Sequence, residues 1–291
     1  MDWTVTRASP RELSCLRGIM CAMADAFQPF DIVKVEARRP RRATDRAAAE
    51  VPLEVRLNGQ PFSVIMRTPG ADEELAVGFL FSEGIVSRAC EIEHIETNDR
   101  LNIVDVVLPV NRASEIPKLL EQRRNVVMNA SCGLCGRPTL ESAGLDGRAL
   151  AVGWAVNAET VSRLPVGLRQ AQRAFAETGG LHAAGLFDLE ANLETVAEDV
   201  GRHNAVDKVV GRMLQLRRLP LERSLLFVSG RSSFEIVQKA FLAGIPLVAA
   251  VSAPSSLAIE LARTVGITLL GFVRDGKFNI YGHEERVRLG E

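Results

Sequence analysis

The second half of the chain carries three short apolar runs that alternate with helical stretches. These runs span residues 224–229, 246–251 and 268–273, and each has the length of a fully buried strand. Because strand–helix–strand crossovers are right-handed, the three strands should lie parallel and end along one edge of a sheet. Open α/β sheets bind their ligands at that edge. The pattern therefore predicts an α/β fold with a ligand site beside the strand ends.

Turns rich in small and hydroxyl residues follow these predicted strands. Residues 229–233 read Ser-Gly-Arg-Ser-Ser, residues 252–256 read Ser-Ala-Pro-Ser-Ser, and residues 274–277 read Arg-Asp-Gly-Lys. Backbone N–H groups at such turns attract anions, and Arg231, Arg274 and Lys277 add positive charge. The edge is therefore predicted to hold phosphate groups. The alternative is that Ser232 and Ser255 only cap the helices that follow.

Two of the four histidines also lie next to predicted strand ends. His182 follows the glycine pair at residues 179 and 180, and His203 follows Asp199, Gly201 and Arg202. A single histidine is usually structural, but here charged and hydrogen-bonding groups surround it in the sequence. Asn204 is predicted to cap a helix over residues 205–216.

The first half of the chain has the pattern of a smaller, mostly antiparallel unit. A hairpin is predicted around Asn58-Gly59, a helix from Asp72 to Gly84, and a second hairpin over residues 92–110. A further helix is expected over residues 114–124, and the Arg- and Ala-rich residues 38–50 are expected to form a solvated connector. The predicted division is a poorly ordered extension at 1–27, an α+β part at 28–125, a mobile cysteine loop at 126–145 and an α/β cofactor-binding domain at 146–291.

Composition excludes several classes of function. The 35 basic and 36 acidic side chains nearly cancel, which gives no overall attraction to nucleic acid or to an anionic membrane. No apolar stretch approaches the ~20 residues of a membrane-spanning helix. The five cysteines are odd in number and unevenly spaced, which favours a reducing compartment. A cytoplasmic protein is therefore expected.

The run Ser131-Cys-Gly-Leu-Cys-Gly136 places two thiols three residues apart, each followed by glycine. A thiolate can serve disulfide exchange, persulfide formation or metal binding. The flanking glycines would let the segment move, as a carrier requires when one sulfur visits a donor and an acceptor. Nearby arginines would favour the thiolate of Cys132 or Cys135.

The pair has three other interpretations. A structural zinc site lacks its second pair of ligands in the sequence. A zinc deaminase combines His-x-Glu with Pro-Cys-x-x-Cys, and this chain offers His94-Ile-Glu96, but Ser131 replaces the proline and residues 91–96 alternate like a solvent-facing strand. A thioredoxin-like pair would normally begin a helix near the start of a βαβ unit.

A set of ordered motifs resembles one known family. The motifs are Asn129-Ala-Ser-Cys-Gly-Leu-Cys-Gly136, Gly179-Gly-Leu-His-Ala183, Glu198-Asp-Val-Gly-Arg-His-Asn-Ala-Val-Asp-Lys208, Ser229-Gly-Arg-Ser-Ser-Phe-Glu-Ile-Val-Gln-Lys239 and Ser252-Ala-Pro-Ser-Ser256. Together they resemble the FdhD family of formate dehydrogenase accessory proteins, over residues 50–281. Residues before about position 28 lie outside the resemblance.

The resemblance implies a cytoplasmic sulfurtransferase that forms homodimers and has a cytidine deaminase-like α/β fold in its C-terminal part. Members take sulfur from a cysteine desulfurase and pass it to the molybdenum cofactor, in its bis(guanine dinucleotide) form, for apo formate dehydrogenase. Cys132 matches the persulfide-bearing cysteine and Cys135 its partner. A non-catalytic chaperone of the cofactor is the alternative, and no permanent metal is expected. The expected cofactor-binding residues are Phe272, Val273, Arg274, Asp275, Gly276 and Lys277, with Ser229, Gly230, Arg231 and His203 on the same edge.

Overall fold

The structure is a computed structural model that describes residues 26–113 and 149–290. The strands are β1 (Phe27–Glu36), β2 (Arg39–Ala48), β3 (Val51–Leu57), β4 (Gln60–Arg67), β5 (His94–Asn98), β6 (Ile103–Val107), β7 (Val156–Asn157), β8 (His182–Phe187), β9 (Leu193–Asp199), β10 (Leu225–Val228), β11 (Leu247–Ala250), β12 (Thr268–Arg274), β13 (Lys277–Gly282) and β14 (Val287–Arg288). The helices are α1 (Asp72–Ser82), α2 (Val110–Ala113), α3 (Ala158–Ala171), α4 (Arg173–Thr178), α5 (Arg202–Gln215), α6 (Phe234–Leu242) and α7 (Ser256–Val265). Short 3₁₀ turns lie at Ala89–Glu91 and Glu284–Arg286.

A six-stranded sheet forms the centre of the C-terminal part, with the strand order β13-β12-β11-β10-β8-β9. Strands β10, β11 and β12 pair in parallel, which confirms the arrangement predicted from the three apolar runs. Strands β8, β9 and β13 extend the sheet by antiparallel pairing. The mixed α/β class is therefore confirmed, with a sheet that is parallel only at its centre.

Both faces of this sheet are covered, which explains why its central strands are apolar throughout. One face belongs to the larger core, where Leu226, Val248 and Leu269 pack with the apolar residues of α5, α6 and α7. The other face belongs to a second core, where Phe227, Leu247 and Leu270 pack with Leu164 and Leu168 of α3. The central strands therefore contribute most of their side chains to the two cores.

The N-terminal part is a four-stranded sheet with the order β4-β3-β6-β5. The hairpin predicted at Asn58-Gly59 joins β3 to β4, and both turn residues have positive φ angles of 48° and 78°. The second predicted hairpin is β5–β6. Strand β3 pairs with β6 in parallel, so the sheet is mostly but not wholly antiparallel. The predicted helix at Asp72 is also confirmed as α1.

A residue stretch that we expected to be a solvated connector forms a strand. The ten residues of β2 pair antiparallel with β1 along their full length. Arg46 lies over the Phe27 ring at 5.2 Å and forms an ion pair with Glu177 of α4. The connector prediction for residues 38–50 was therefore wrong, because cross-strand pairing outweighs a composition that is typical of a loop.

Other sequence-based predictions fall outside the described residues. These are the helix over residues 114–124, residues 1–25 of the extension predicted at 1–27, and the cysteine loop at 126–145. The predicted domain boundaries stay predictions. None of the helices in the described ranges is both long and apolar enough to cross a membrane.

The two sheets are joined through a close crossing of α1 and α5. A Cβ placed on Gly78 would lie 1.9 Å from the backbone oxygen of Asp207, and one on Gly211 would lie 1.9 Å from that of Glu74. Neither position can accept a side chain unless the helices move apart. The two glycines therefore set the distance at which the N-terminal sheet docks beside the strand-end edge.

We predict that Gly78→Ala destabilises the protein by about 1–3 kcal/mol or more, because overpacking outweighs the higher helix propensity of alanine. Urea unfolding provides the measurement. Gly153→Ala is the control, since no atom lies within 4 Å of its added Cβ, and it should change the free energy of unfolding by less than about 0.5 kcal/mol. Equal behaviour of the two variants would contradict the role assigned to the crossing.

Candidate functional site

The topology brings five chain segments to one edge of the six-stranded sheet. These are the carboxyl ends of β9, β10, β11 and β12 and the amino end of β8, because β8 runs antiparallel to both β9 and β10. The predicted residues around His182, His203, Ser229 and Ser252 therefore share one ledge. We call this surface the strand-end ledge.

The first turn of the ledge follows β10 and is fixed to β8 by two hydrogen bonds. The Ser229 hydroxyl oxygen accepts from the Ala183 N–H at 2.8 Å, and the Ser229 N–H donates to the Ala183 carbonyl at 2.9 Å. A Cβ on Gly230 would lie 3.1 Å from Nδ1 of His182. Glycine at position 230 thus leaves room for the imidazole, and Arg231 follows as an exposed cation.

Ser232 of the first turn and Ser255 of the second turn differ in whether they cap the helix that follows. Ser255 caps α7, because its hydroxyl accepts the Ala258 N–H at 3.3 Å. Ser232 is not a cap: it lies one residue before the N-cap position of α6, and its backbone forms a parallel bridge with Pro254. The capping explanation therefore holds for Ser255 and fails for Ser232.

The third turn is a tight connection between β12 and β13. Asp275 and Gly276 both have positive φ angles, of 52° and 72°, and they place the exposed Arg274 and Lys277 at the turn ends. The expected site residues of this turn do not all point outward, because Val273 is 1% exposed and belongs to the core.

A β-bulge connects the third turn to the second. Phe272 has a φ angle of 56°, which is strained for a non-glycine residue, and its N–H donates to the Ser252 carbonyl at 3.2 Å. The residue is 36% exposed although its side chain is large and apolar. The bulge thus turns an aromatic face outward at the ledge, in a conformation that the local sequence does not favour.

Asn204 has a different role from the predicted helix cap. Helix α5 begins at Arg202, with Gly201 in the N-cap position, so Asn204 lies inside the first turn. Its side-chain amide donates to the Met66 carbonyl and to Asp199 Oδ1, both at 2.8 Å. The capping prediction was therefore wrong, and Asn204 instead connects the ledge to β4.

Beneath Asn204 lies a buried ion pair that sequence reasoning did not identify. Lys208 Nζ lies 2.7 Å from Asp199 Oδ2 and donates to the Thr68 carbonyl at 2.9 Å. The Thr68 N–H in turn donates to Asp199 Oδ2 at 3.1 Å. The pair is almost completely buried and fully hydrogen-bonded, as a buried charge requires. It joins the segment after β4 to the end of β9.

His203 contacts the Glu235 carboxylate, which the sequence analysis did not include among the site residues. Its Nδ1 lies 2.6 Å from Glu235 Oε2, and both side chains are largely buried. Burial alone would raise the pKa of Glu235, but His203, Lys239 and Arg202 outweigh it and hold that pKa below its ordinary value. The carboxylate therefore stays ionised and lies against the Nδ1 side of the ring. The i, i+4 spacing of Glu235 and Lys239 on one helix face was the sequence feature that could have indicated this cluster of charges.

Lys239 extends this chain of charges into the helix layer. Its ammonium donates to both oxygens of Asp207 at 2.7 and 2.8 Å, and Ser82 donates to the same carboxylate at 2.7 Å. Burial would lower the pKa of Lys239, but the charges of Asp207 and Glu235 outweigh it and raise that pKa, so the ammonium stays protonated. Connected charged side chains, Glu235, Lys239 and Asp207, therefore lie behind the ledge.

Several buried polar atoms on the ledge have no hydrogen-bond partner among the described residues. They are Arg202 Nε, both ring nitrogens of His203, Glu235 Oε2, and the hydroxyls of Ser232 and Ser233, since the close contact of His203 with Glu235 does not have hydrogen-bond geometry. A buried polar group without a partner costs about 1–3 kcal/mol. Ser232 and Ser233 directly follow the exposed Arg231, so groups without a partner and an exposed cation lie in the same turn.

The described residues bear on the metal-binding alternatives for the cysteine pair. Cys132 and Cys135 lie outside the described residues. His94 and Glu96 lie on strand β5 with exposed side chains, whereas deaminase chemistry would need them on a helix. Within residues 26–113 and 149–290, no group of three or more His, Cys, Asp or Glu side chains is arranged to hold a metal ion.

We predict that Lys208→Met destabilises the protein by about 3–5 kcal/mol, because the buried Asp199 carboxylate loses its compensating charge. Chemical denaturation measures the change. Arg218→Met is the matched control, since its ion pair with Glu194 has the arginine 47% exposed, and it should cost less than about 1 kcal/mol. A Lys208 variant as stable as the Arg218 variant would contradict the buried-pair assignment.

Comparisons with known proteins agree with this fold. The model of the FdhD/NarQ family matches residues 48–288. The chain is 48% identical over 258 residues to a sulfur carrier protein FdhD of Streptomyces avermitilis, covering 84% of this chain and 90% of the relative. It is 46% identical over 252 residues to a sulfur carrier protein FdhD of Thermoplasma acidophilum, covering 84% and 88% respectively.

A solved structure shares the architecture. The crystal structure of a protein assigned as a formate dehydrogenase accessory protein from Desulfotalea psychrophila superposes with a TM-score of 0.72 and 24% identity, over 91% of this chain and all of that chain. At that identity the likeness supports the fold alone, while the family match and the relatives cover most of the chain. The chain therefore belongs to the FdhD/NarQ family.

Proposed function

We propose that this protein is a sulfur carrier that delivers sulfur to a guanine-dinucleotide form of the molybdenum cofactor, which formate dehydrogenase requires. Family membership and the name of the curated relatives support the sulfur-carrying part. The observation that carries the remainder is the strand-end ledge, where buried donors without partners lie beside exposed cations. Such a surface suits the phosphates of a dinucleotide.

The ledge residues have different roles in this proposal. The exposed cations Arg231, Arg274 and Lys277 contribute charge, while Ser229, Gly230, His203 and the turn of Asp275 and Gly276 contribute position and hydrogen bonds. Phe272 offers a ring face, and Val273 anchors the bulge in the core. Because the donors are already held by the sheet and helices, little ordering is needed when the ligand binds.

The sulfur chemistry is assigned to Cys132 and Cys135. The Cys132 thiolate attacks the terminal sulfur of a desulfurase persulfide, which forms the Cys132 persulfide and releases the desulfurase thiolate. Attack of the Cys135 thiol on the inner sulfur of that persulfide would then close a Cys132–Cys135 disulfide. This step releases the outer sulfur as hydrosulfide, which becomes a ligand of the substrate molybdenum.

The expected setting follows from the same proposal. The partners are a cysteine desulfurase, the molybdenum cofactor or its guanine nucleotide, and apo formate dehydrogenase, and the protein acts as a cytoplasmic homodimer. The nearly balanced overall charge supports neither nucleic acid nor an anionic membrane surface as a partner.

The first test is persulfide formation. Incubation with a cysteine desulfurase and cysteine should add one sulfur atom to the wild-type protein, as measured by intact mass spectrometry. Cys132→Ala should abolish the addition. Cys90→Ala is the control, because Cys90 is an exposed free thiol in the Ala89–Glu91 turn, and it should load normally.

A Cys132→Ala protein that still gains sulfur would contradict the assignment of the carrier residue. A wild-type protein that never gains sulfur, but still binds cofactor, would instead favour the non-catalytic chaperone.

The second test is nucleotide binding at the ledge. Arg274→Ala should weaken GDP binding about tenfold in isothermal titration calorimetry, and the wild-type affinity should fall as salt rises. Arg223→Ala is the control, because Arg223 is exposed two residues before the amino end of β10 and hence at the opposite end of that strand. Equal GDP affinity in the Arg274 and Arg223 variants would exclude phosphate binding at this turn.

A further inference from the structure

Strands β1 and β2 form a separate ribbon, and no other strand within residues 26–113 and 149–290 pairs with it. The ribbon is anchored through β2, which packs against α4, where Arg46 forms an ion pair with Glu177. The family match begins at residue 48 and covers none of β1. Because a sheet of two strands is at best marginally stable in water, the ribbon has the character of an incomplete sheet.

The hydrogen bond at the base of the ribbon identifies the free edge of β1. The Ala49 N–H donates to the Ala26 carbonyl at 2.9 Å, and hydrogen-bonded pairs alternate along an antiparallel ladder. In the register of the ribbon, the even-numbered residues of β1 therefore bond to β2. The odd-numbered residues Asp31, Val33 and Val35 consequently direct their N–H and C=O groups away from β2, along an edge that no described strand occupies.

The two edges of the ribbon differ in their protection against further pairing. Strand β2 carries Pro40 and four arginines, and proline and basic side chains are features by which natural proteins block a sheet edge. Strand β1 instead presents Phe30, Val33 and Val35, which are 51%, 59% and 63% exposed although they are large and apolar. Unpaired backbone groups and apolar side chains thus occur together on β1, as on a strand that accepts another strand.

The charge pattern of β1 fits a second copy of the same strand. In an antiparallel pair of two β1 strands, outward-directed residues face each other, so the two-fold axis can pass through Val33. Residues 30, 31 and 32 then lie opposite residues 36, 35 and 34, and this register places no like charges directly opposite each other. Pairing through β2 would instead bring together two strands that each carry four arginines against one aspartate.

We propose that β1 is a dimerisation strand. Two copies of the chain pair antiparallel through residues 30–36 and form a four-stranded sheet with the order β2-β1-β1-β2. This two-fold contact uses the same surface on both copies, and it brings the ribbon to the number of strands at which a sheet can be stable. The proposal rests on the homodimer of the proposed function and names its interface.

Val33→Pro tests this pairing, because it removes an outward N–H without removing a hydrogen bond between β1 and β2. The dimer dissociation constant, measured by sedimentation equilibrium, should rise about tenfold or more. Thr44→Pro is the matched control, since Thr44 lies opposite Asp31 and its N–H points to the other edge of the ribbon. Its dissociation constant should equal that of wild type, and equal constants for the two proline variants would overturn the proposal.

Hydrogen exchange of the wild-type protein gives a second measurement that needs no variant. The amides of Val33 and Val35 should become protected as the protein concentration rises, whereas those of Arg42 and Thr44 should not. A protein that stays monomeric would overturn the proposal, and so would a dimer whose β1 amides exchange freely. Protection that is independent of concentration would assign the edge to another segment of the same chain and would also overturn it.

Sulfur loading separates this proposal from the proposed function. Loading of Cys132 by a desulfurase should be equal in wild type and in both proline variants, because each copy carries its own cysteine pair. A Val33→Pro protein that loads normally and still dimerises like wild type would reject this interface alone. A wild-type protein that dimerises through β1 but never gains sulfur would reject the proposed sulfur chemistry and support the interface.

Discussion

The buried ion pair of Asp199 and Lys208 is the interaction on which the site geometry depends most. It lies where β9 ends and α5 begins, and its hydrogen bonds reach Thr68 after β4. Asn204 adds a second connection from the same carboxylate to Met66. Because two desolvated charges are stable only in precise contact, the pair fixes the N-terminal sheet relative to the ledge.

Around this anchor the chain keeps its ledge donors in place before a ligand binds. Glu235 lies against His203 and forms an ion pair with Lys239, which is held in turn by Asp207. Gly230 leaves space for His182. The ledge therefore holds its polar side chains in fixed positions, and several of their atoms have no hydrogen-bond partner among the described residues. In the proposed function, such rigidity keeps the ordering cost low when the ligand binds.

The sequence was sufficient to predict the structural features that depend on local patterns of residues. The parallel strands, the hairpin at Asn58-Gly59 and the helix at Asp72 follow from apolar periodicity, turn residues and charge at a helix start. The common edge followed from the handedness of crossovers. The cysteine pair was recognised as a motif, and its placement relative to the ledge stays a prediction.

The features that the sequence did not predict depend on contacts between distant residues. Lys208 and Thr68 are 140 residues apart, and Asp207 and Lys239 are 32 apart, so no local pattern marks these charges as buried. The strand at β2 was missed because its Arg-rich composition conceals pairing with β1. Asn204 was taken for a cap because its bonds to Met66 and Asp199 come from tertiary packing.

The central claim is that the sulfur held by Cys132 becomes a ligand of the cofactor's molybdenum. X-ray absorption at the molybdenum K-edge tests it most directly, after the cofactor is mixed with protein that a desulfurase has loaded. The account predicts an additional molybdenum–sulfur bond with loaded wild-type protein and no additional bond with Cys132→Ala protein that has been through the same desulfurase treatment and wash. The same spectrum from both proteins would contradict it.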